Sequence, residues 1–306
     1  MNILVTGGAG FIGSNLIDKL IDQGHFVISL DDYSTGKREN LPPRDNLKII
    51  QGDIRKEIGK VDKFLEFGTQ WVEEGRPPTP SKMKLDVVFH IAGKARIQPS
   101  FKDPIEFISS NINGTAHIVD LAFRNKARLI YAGSSSFYHD IYANPYCFTK
   151  WGGEEVCKMY NKIYGVPTAI TRFFNVYGPR QLECGKEVGE ATVMGIFEKL
   201  NREGKPLTIT GNGEQRRDFT HVSDICDGLI LLAEQEWNAD IFNIGTGTNH
   251  SINEVAAMFG GKTEYIDGRP GEAQDTLADI SAIQELGYEP KIKLEDYIDG
   301  LLNAVK

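Results

Sequence analysis

Tyr146 and Lys150 stand four residues apart in the run Tyr146-Cys147-Phe148-Thr149-Lys150, so on a helix they share one face. A free phenol ionises near pH 10, which leaves roughly one molecule in a thousand as phenolate at neutral pH. A nearby ammonium group favours the phenolate, and two close cations in a dry site could lower the phenol by about three pH units, at about 1.4 kcal/mol each. Such a tyrosine takes the proton of an alcohol as a general base. Ser134, Ser135 and Ser136 precede it at the end of an apolar run, where a hydroxyl could bond the same alcohol. Ser134, Tyr146 and Lys150 are the candidate catalytic set, with Ser135 and Ser136 open as alternatives to Ser134. The spacing alone also fits a solvated helix face, so the surrounding elements must decide.

Those elements begin at residue 2. Ile3-Leu4-Val5 is a short apolar run of the kind that forms a buried parallel strand. Gly7, Gly10 and Gly13 follow, and then Leu16, Ile17, Leu20 and Ile21 recur at helical spacing within Ser14–Gln23. Strand, glycine turn and helix together open a dinucleotide fold, with the helix N-terminus aimed at a pyrophosphate. A second apolar run, Phe26 to Leu30, ends at Asp31 and Asp32, 18 residues past Gly13. An acid there bonds ribose hydroxyls. A 2′-phosphate would meet two carboxylates, so the expected cofactor is NAD rather than NADP, although Lys37 and Arg38 pull the other way.

The 306 residues suffice for one large or two modest domains, and 41% hydrophobic with 25% charged residues is an ordinary globular composition. A formal net charge of −8 disfavours nucleic acid as a partner. No apolar run approaches the roughly 20 residues that span a bilayer, and no export signal is read, so the expectation is a cytoplasmic protein without membrane contact. Cys147, Cys157, Cys184 and Cys226 form no close pair and the histidines do not cluster with them. Free thiols and no metal site are expected.

Strands and helices alternate through the first half, which predicts a doubly wound parallel sheet of Rossmann type, α/β in class. Helices are expected over Lys60–Glu74, Ile105–Asn125, and Asn144–Tyr164 with Pro145 in its first turn. After Tyr177-Gly178-Pro179 the rhythm shortens, with helices expected over Val188–Arg202, Asp224–Glu236, Ile252–Phe259 and Leu294–Val305. Residues 1–177 read as the dinucleotide domain and 178–306 as a smaller α/β substrate-binding domain, with some later strands crossing back into the first sheet.

Several motifs in order carry a resemblance over nearly the whole chain. They are Thr6-Gly7-Gly8-Ala9-Gly10-Phe11-Ile12-Gly13, Gly52-Asp53-Ile54, His90-Ile91-Ala92-Gly93, Asn111-Ile112-Asn113-Gly114-Thr115, Tyr146 with Lys150, Arg172 through Gln181, Gln215 through Val222, and Arg269-Pro270-Gly271-Glu272. The chain resembles the extended short-chain dehydrogenases/reductases of the nucleotide-sugar epimerase group, similar to UDP-glucose and UDP-N-acetylglucosamine 4-epimerases. The resemblance implies that Gly7, Gly10, Phe11, Ile12, Gly13, Asp31, Ser34, Gly36, Asp53, Ile54, Ala92, Gly93 and Asn111 line the NAD site. It implies that Tyr146 and Lys150 meet the nicotinamide end, with Phe173 packing there. Asn175, Arg217 and Arg269 would hold the diphosphate of the sugar nucleotide, with Glu272 on its ribose. Two arginines suit the two charges of a diphosphate, although surface ion pairing is the plain alternative for them. The implied reaction oxidises carbon 4 of a hexose, turns the keto-sugar over and returns hydride to its other face.

Some positions depart from the group's pattern. Dehydratases and decarboxylases of the group place an acid just after the serine, where this chain has Ser135 and Ser136. The spacing from Ser134 to Tyr146 is shorter than the resemblance leads one to expect. Phe67–Met83 looks like an insertion, read as a solvated loop, with cover of a neighbouring surface as the alternative. Thr210 cannot stack a base, which leaves the base open. Thr276, at the position facing the carbon-2 substituent, leaves room for an N-acetyl group. Arg96 reads as solvent-facing, with contact to an acidic sugar as the alternative. The expected substrate is a UDP-hexose, plain or N-acetylated, turned over by a homodimer built on helices 105–125 and 144–164. A related epimerase or reductase on another sugar nucleotide is the alternative, as is a dinucleotide sensor without chemistry, which would not require Tyr146, Lys150 and the serines.

Overall fold

The computed structural model describes residues 1–68, 82–181, 191–237 and 240–304. β1 (Asn2–Thr6) leads through the glycine turn into α1 (Phe11–Asp22) and β2 (Phe26–Asp31). β3 (Leu47–Gln51), α2 (Ile58–Phe67) and β4 (Val87–His90) follow. α3 (Ile97–Lys102) and α4 (Pro104–Ile108) run into a π turn over Ser109–Asn113, then α5 (Gly114–Asn125). Next come β5 (Arg128–Ser134), α6 (Pro145–Tyr164) and β6 (Thr168–Phe173). The second half holds α7 (Val193–Arg202), β7 (Leu207–Thr210), β8 (Arg216–Asp218), α8 (Val222–Glu234) and β9 (Ile241–Ile244). It closes with β10 (Asn249–Ser251), α9 (Ile252–Phe259), β11 (Thr263–Ile266), β12 (Asp275–Thr276), α10 (Ser281–Gln284) and α11 (Leu294–Ala304).

Seven strands pair in the order β3-β2-β1-β4-β5-β6-β9, all parallel. This is the Rossmann-type α/β sheet that the alternating pattern implied, and its strand order reverses at β1 and β4, where such sheets bind ligands. Apolar runs such as Ile3-Leu4-Val5 are buried on both faces. Leu16, Ile17 and Leu20 of α1 join Ile225 and Leu229 of α8 in one layer. Val61 and Phe64 of α2, Ile118 and Val119 of α5, and Cys157 of α6 form the other. A third core gathers Phe197, Ile209, Val255, Phe259 and Ile298 beside two small sheets, β10-β8-β12 and β11-β7.

Several boundaries differ from the sequence expectation. α1 starts at Phe11, not Ser14, because Gly13 lies inside it: a Cβ there would stand 2.1 Å from the Gly7 carbonyl oxygen. The helix expected over Ile105–Asn125 is interrupted by the π turn. The extra residue in that turn rotates the following face, where Ile118 and Val119 are buried and Phe123 is exposed; Ile108, just before the turn, is exposed too. α2 ends at Phe67; the rest of the helix expected to Glu74, and the insertion except Phe67, Gly68, Lys82 and Met83, lie outside the described residues. α7 begins at Val193, where the Thr192 hydroxyl accepts from Gly195 N at 2.8 Å and caps it. The two- and three-residue strands β8, β10 and β12 carry too little periodicity to be read from sequence. Cys147, Cys157 and Cys226 are buried free thiols; Cys184 lies outside the described residues. Among the described residues no helix is long and apolar enough to cross a membrane.

Candidate active site

The start of α6 sets the candidate chemistry. Asn144 caps the helix, its side-chain oxygen accepting from Cys147 N at 2.8 Å, and Pro145 occupies the first turn. The Tyr146 hydroxyl donates to Ser134 Oγ at 3.1 Å. Ser136 donates to the same oxygen from its hydroxyl at 2.9 Å and its backbone N–H at 3.2 Å. Of the three serines, Ser134 therefore meets the phenol, and Ser136 orients it. The Phe107 ring stands edge-on to Tyr146 at 6.5 Å.

Lys150 is 9% exposed, donates from Nζ to the Ala132 carbonyl and lies 4.9 Å from the Tyr131 ring centroid. Burial pushes its pKa down to about 8. Burial also raises the Tyr146 phenol above its ordinary value, opposed by the Ser134 hydrogen bond and by the charge of Arg96. Arg96 was expected to face solvent. It is instead part-buried and lines the same cavity as Tyr146 and Ser134, because the chain after Gly93 turns inward to start α3.

The glycine turn fits a dinucleotide. Gly7 holds φ +69, and a Cβ on it would lie 2.9 Å from Ala92 Cα. The Asp31 carboxylate, at the end of β2, accepts from Ala9 N at 2.9 Å and Tyr33 N at 2.7 Å. Its burial raises its pKa and these two N–H groups hold it down. Ser34 N donates to Asp32 at 2.8 Å, and a Cβ on Gly36 would press against Ala9 at 2.9 Å, so that turn packs against the glycine motif. Ile54 is buried beside Gly114. Asp53 is paired with Arg55 at 2.7 Å, and Arg55 also reaches Glu106 at 2.7 Å. The Arg55 hydrogen bond holds the Asp53 carboxyl below its usual range. The Asn111 amide accepts from Lys94 N at 2.7 Å and donates to Lys94 O and Thr149 Oγ1, each at 3.0 Å. It thus fastens the turn after Gly93 to α6. His90 is fully enclosed between Thr6 Oγ1 at 2.8 Å and Thr115 Oγ1 at 3.0 Å, and burial drives its pKa to about 3, so it is a neutral structural link.

A cavity of about 370 Å³ opens beside Tyr146. Phe11 and Ile12 of α1 and Phe173 of β6 form one end. Asn175, Arg217, Arg269, Glu272 and Thr276 all line it, so neither arginine is an outward surface residue. Asn175 donates from Nδ2 to Asp218 O at 3.2 Å and Thr276 Oγ1 at 3.3 Å. Arg217 donates to the Arg216 and Ala273 carbonyls at 2.8 and 2.6 Å, and its burial lowers its pKa against the pull of Glu272 and Asp275. Thr210 lines the cavity too, its carbonyl accepting from Gln215 Nε2 at 2.8 Å. Met194 and Ile196 of α7 complete an apolar wall that no sequence motif had marked.

Residues 3–72 and 78–245 match the profile of the NAD dependent epimerase/dehydratase family. A UDP-glucose 4-epimerase of Mycolicibacterium smegmatis is 30% identical over 319 residues, 97% of this chain and 96% of the relative. The structure of UDP-glucose 4-epimerase from Thermotoga maritima with UDP-glucose superposes with a TM-score of 0.84 at 30% identity, covering 100% of this chain and 97% of that one. The UDP-glucuronic acid 4-epimerase of Bacillus cereus, solved with UDP-glucuronic acid and NAD, gives 0.84 at 28% identity, covering 100% and 99%.

Proposed function

The chain belongs to the NAD-dependent epimerase/dehydratase family, and on that premise we propose that it inverts carbon 4 of a UDP-hexose. The observation that carries this reading is the Tyr146–Ser134 contact with hydroxyls at Ser135 and Ser136 beside it. Elimination of water from the sugar needs a proton donor for the leaving hydroxyl. The two positions after Ser134 offer no carboxyl for that step, and none for the decarboxylases of this group. Tyr146 takes the proton of the carbon-4 hydroxyl while Ser134 holds the same oxygen, and the phenol gives the proton back on return. Bound NAD supplies the hydride acceptor, with Gly7, Gly10, Gly13 and Asp31 holding it and Lys150 at its ribose. Arg217 and Arg269 match a diphosphate by charge, Asn175 and Glu272 sit beside them, and Thr276 leaves room at carbon 2.

The homodimer rests on an apolar face across α5 and α6. Phe123 of α5 and Ile163 and Tyr164 of α6 are exposed, with the Phe123 and Tyr164 rings 5.3 Å apart, and Ile105 and Ile108 of α4 are exposed as well. Buried free thiols suit a reducing cytoplasm. Residues 1–177 serve as the NAD-binding part and 178–306 as the sugar-nucleotide part.

The test incubates purified protein with UDP-glucose, UDP-N-acetylglucosamine and UDP-glucuronic acid and follows products by NMR. The 4-epimer without net NADH is expected. A keto-deoxy sugar or a pentose product overturns the reading, as does failure to turn over any of them.

A further inference from the structure

Arg96 is a side-chain-bearing residue held at φ +86 and ψ 139. That conformation is unfavourable for anything but glycine and persists only where surrounding structure enforces it. Next to it, Gln98 Nε2 donates to the Pro270 carbonyl at 3.1 Å, tying the start of α3 to the loop that carries Arg269 and Glu272. The result is a guanidinium in the cavity wall that also holds Tyr146 and Ser134. Lys150, the cation that sequence reasoning paired with the phenol, directs its ammonium to the Ala132 carbonyl and the Tyr131 ring.

We propose that Arg96 is a positioning residue for proton transfer at Tyr146, its guanidinium stabilising the phenolate across the cavity. The proposal rests on the reading of Tyr146 as the general base. The phenol is faced by the Ser134 hydroxyl and the Tyr131 phenol from β5, the Phe107 ring from α4, Cys147 on its own helix and Arg96 from the segment before α3. Arg96 is the cation among them, and its charge and the phenol act on each other reciprocally. An arginine keeps its proton at any working pH. Lys150, with its pKa near 8, surrenders part of its charge as the medium becomes alkaline. During the reaction the proton moves from the sugar hydroxyl to the phenolate oxygen and back, and the guanidinium gains and loses nothing.

The test compares the wild-type chain with Arg96→Gly, which fits the backbone, and Arg96→Lys, which restores a cation. An ultraviolet difference titration, with the Tyr146→Phe chain subtracted, reads the phenol directly and needs no substrate. Arg96→Gly should move that titration up by about one pH unit and Arg96→Lys should bring it part of the way back. In turnover, the acidic limb of kcat should move up by the same amount, with kcat at pH 7 about tenfold lower and KM little changed. Melting of Arg96→Gly at or above the wild-type temperature shows that its fold is intact. Identical phenol titrations in wild type and Arg96→Gly, or a loss confined to KM, overturn the proposal. A wild-type chain inactive on every sugar nucleotide would overturn the epimerase reading instead and leave the titration to decide the role of Arg96.

Discussion

The Tyr146 hydroxyl and Ser134 Oγ, 3.1 Å apart, join the first turn of α6 to the last residue of β5. Removing that phenolic oxygen in Tyr146→Phe should lower kcat by ~10²–10⁴-fold, the usual contribution of a general base. Calorimetric affinity for the sugar nucleotide should survive, since no other contact is lost. Undiminished turnover in this variant would leave the proposed chemistry without its base.

Lys150 predicts a trade between stability and activity. Its pKa is near 8 in the fold and ~10.4 in an unfolded chain. Between those values the unfolded chain binds more protons, so stability rises with pH through that window. Below pH 8 the buried ammonium costs about 3 kcal/mol, net of its bond to Ala132. Lys150→Met should therefore resist urea better than wild type at pH 7, with the advantage shrinking to nothing near pH 10.5. An advantage that grows with pH would reverse the assignment.

Arg172 and Glu154 form a bidentate pair, 3.0 and 2.7 Å long, with side chains 3% and 1% exposed. Truncating either partner leaves the other charge buried and alone, at a cost of about 3–5 kcal/mol. Arg172→Met should lower the denaturation midpoint accordingly, and the double variant Arg172→Met/Glu154→Met should recover part of the loss. A double variant no better than the single one would show that packing, not charge, is at stake.

Thr276 borders the cavity and accepts from Asn175. Thr276→Tyr should depress kcat/KM for UDP-N-acetylglucosamine far more than for UDP-glucose. Equal treatment of the two sugars by the variant would remove Thr276 from the carbon-2 site.

Ile105 of α4 and Ile163 of α6 are 78% and 63% exposed. Light scattering at micromolar concentration should report a dimer, and Ile163→Lys should yield monomers. A wild-type monomer would refute the interface.

Where the chain repeats a strong local pattern, its structure was legible. Gly7, Gly10 and Gly13 announce the turn, Asp31 ends the second strand, and Asn144-Pro145 open the helix that carries Tyr146 and Lys150. The resemblance named Asn175, Arg217, Arg269, Glu272 and Thr276, and the cavity gathers all five. What escaped was tertiary. Arg96 lies in no periodic run, and only the path of the chain after Gly93 brings it to the cavity that Tyr146 lines. The π turn at Ser109–Asn113 leaves the amino-acid pattern helical while shifting its phase. Asn111, expected at the NAD site from the resemblance, has its amide occupied by Lys94 and Thr149.

β6 takes its outer neighbour from residues 241–244, with Ile170 against Ile241 and Phe173 against Ile244. α8, from the same late stretch, covers α1. A chain cut after residue 177 would thus bare a row of unsatisfied amides and an oily helix flank, the template on which sheets of separate molecules zip together. Residues 1–177 are thus not expected to stand alone. Expressed by themselves they should aggregate, and a split or permuted version should fold only if residues 222–244 stay with it.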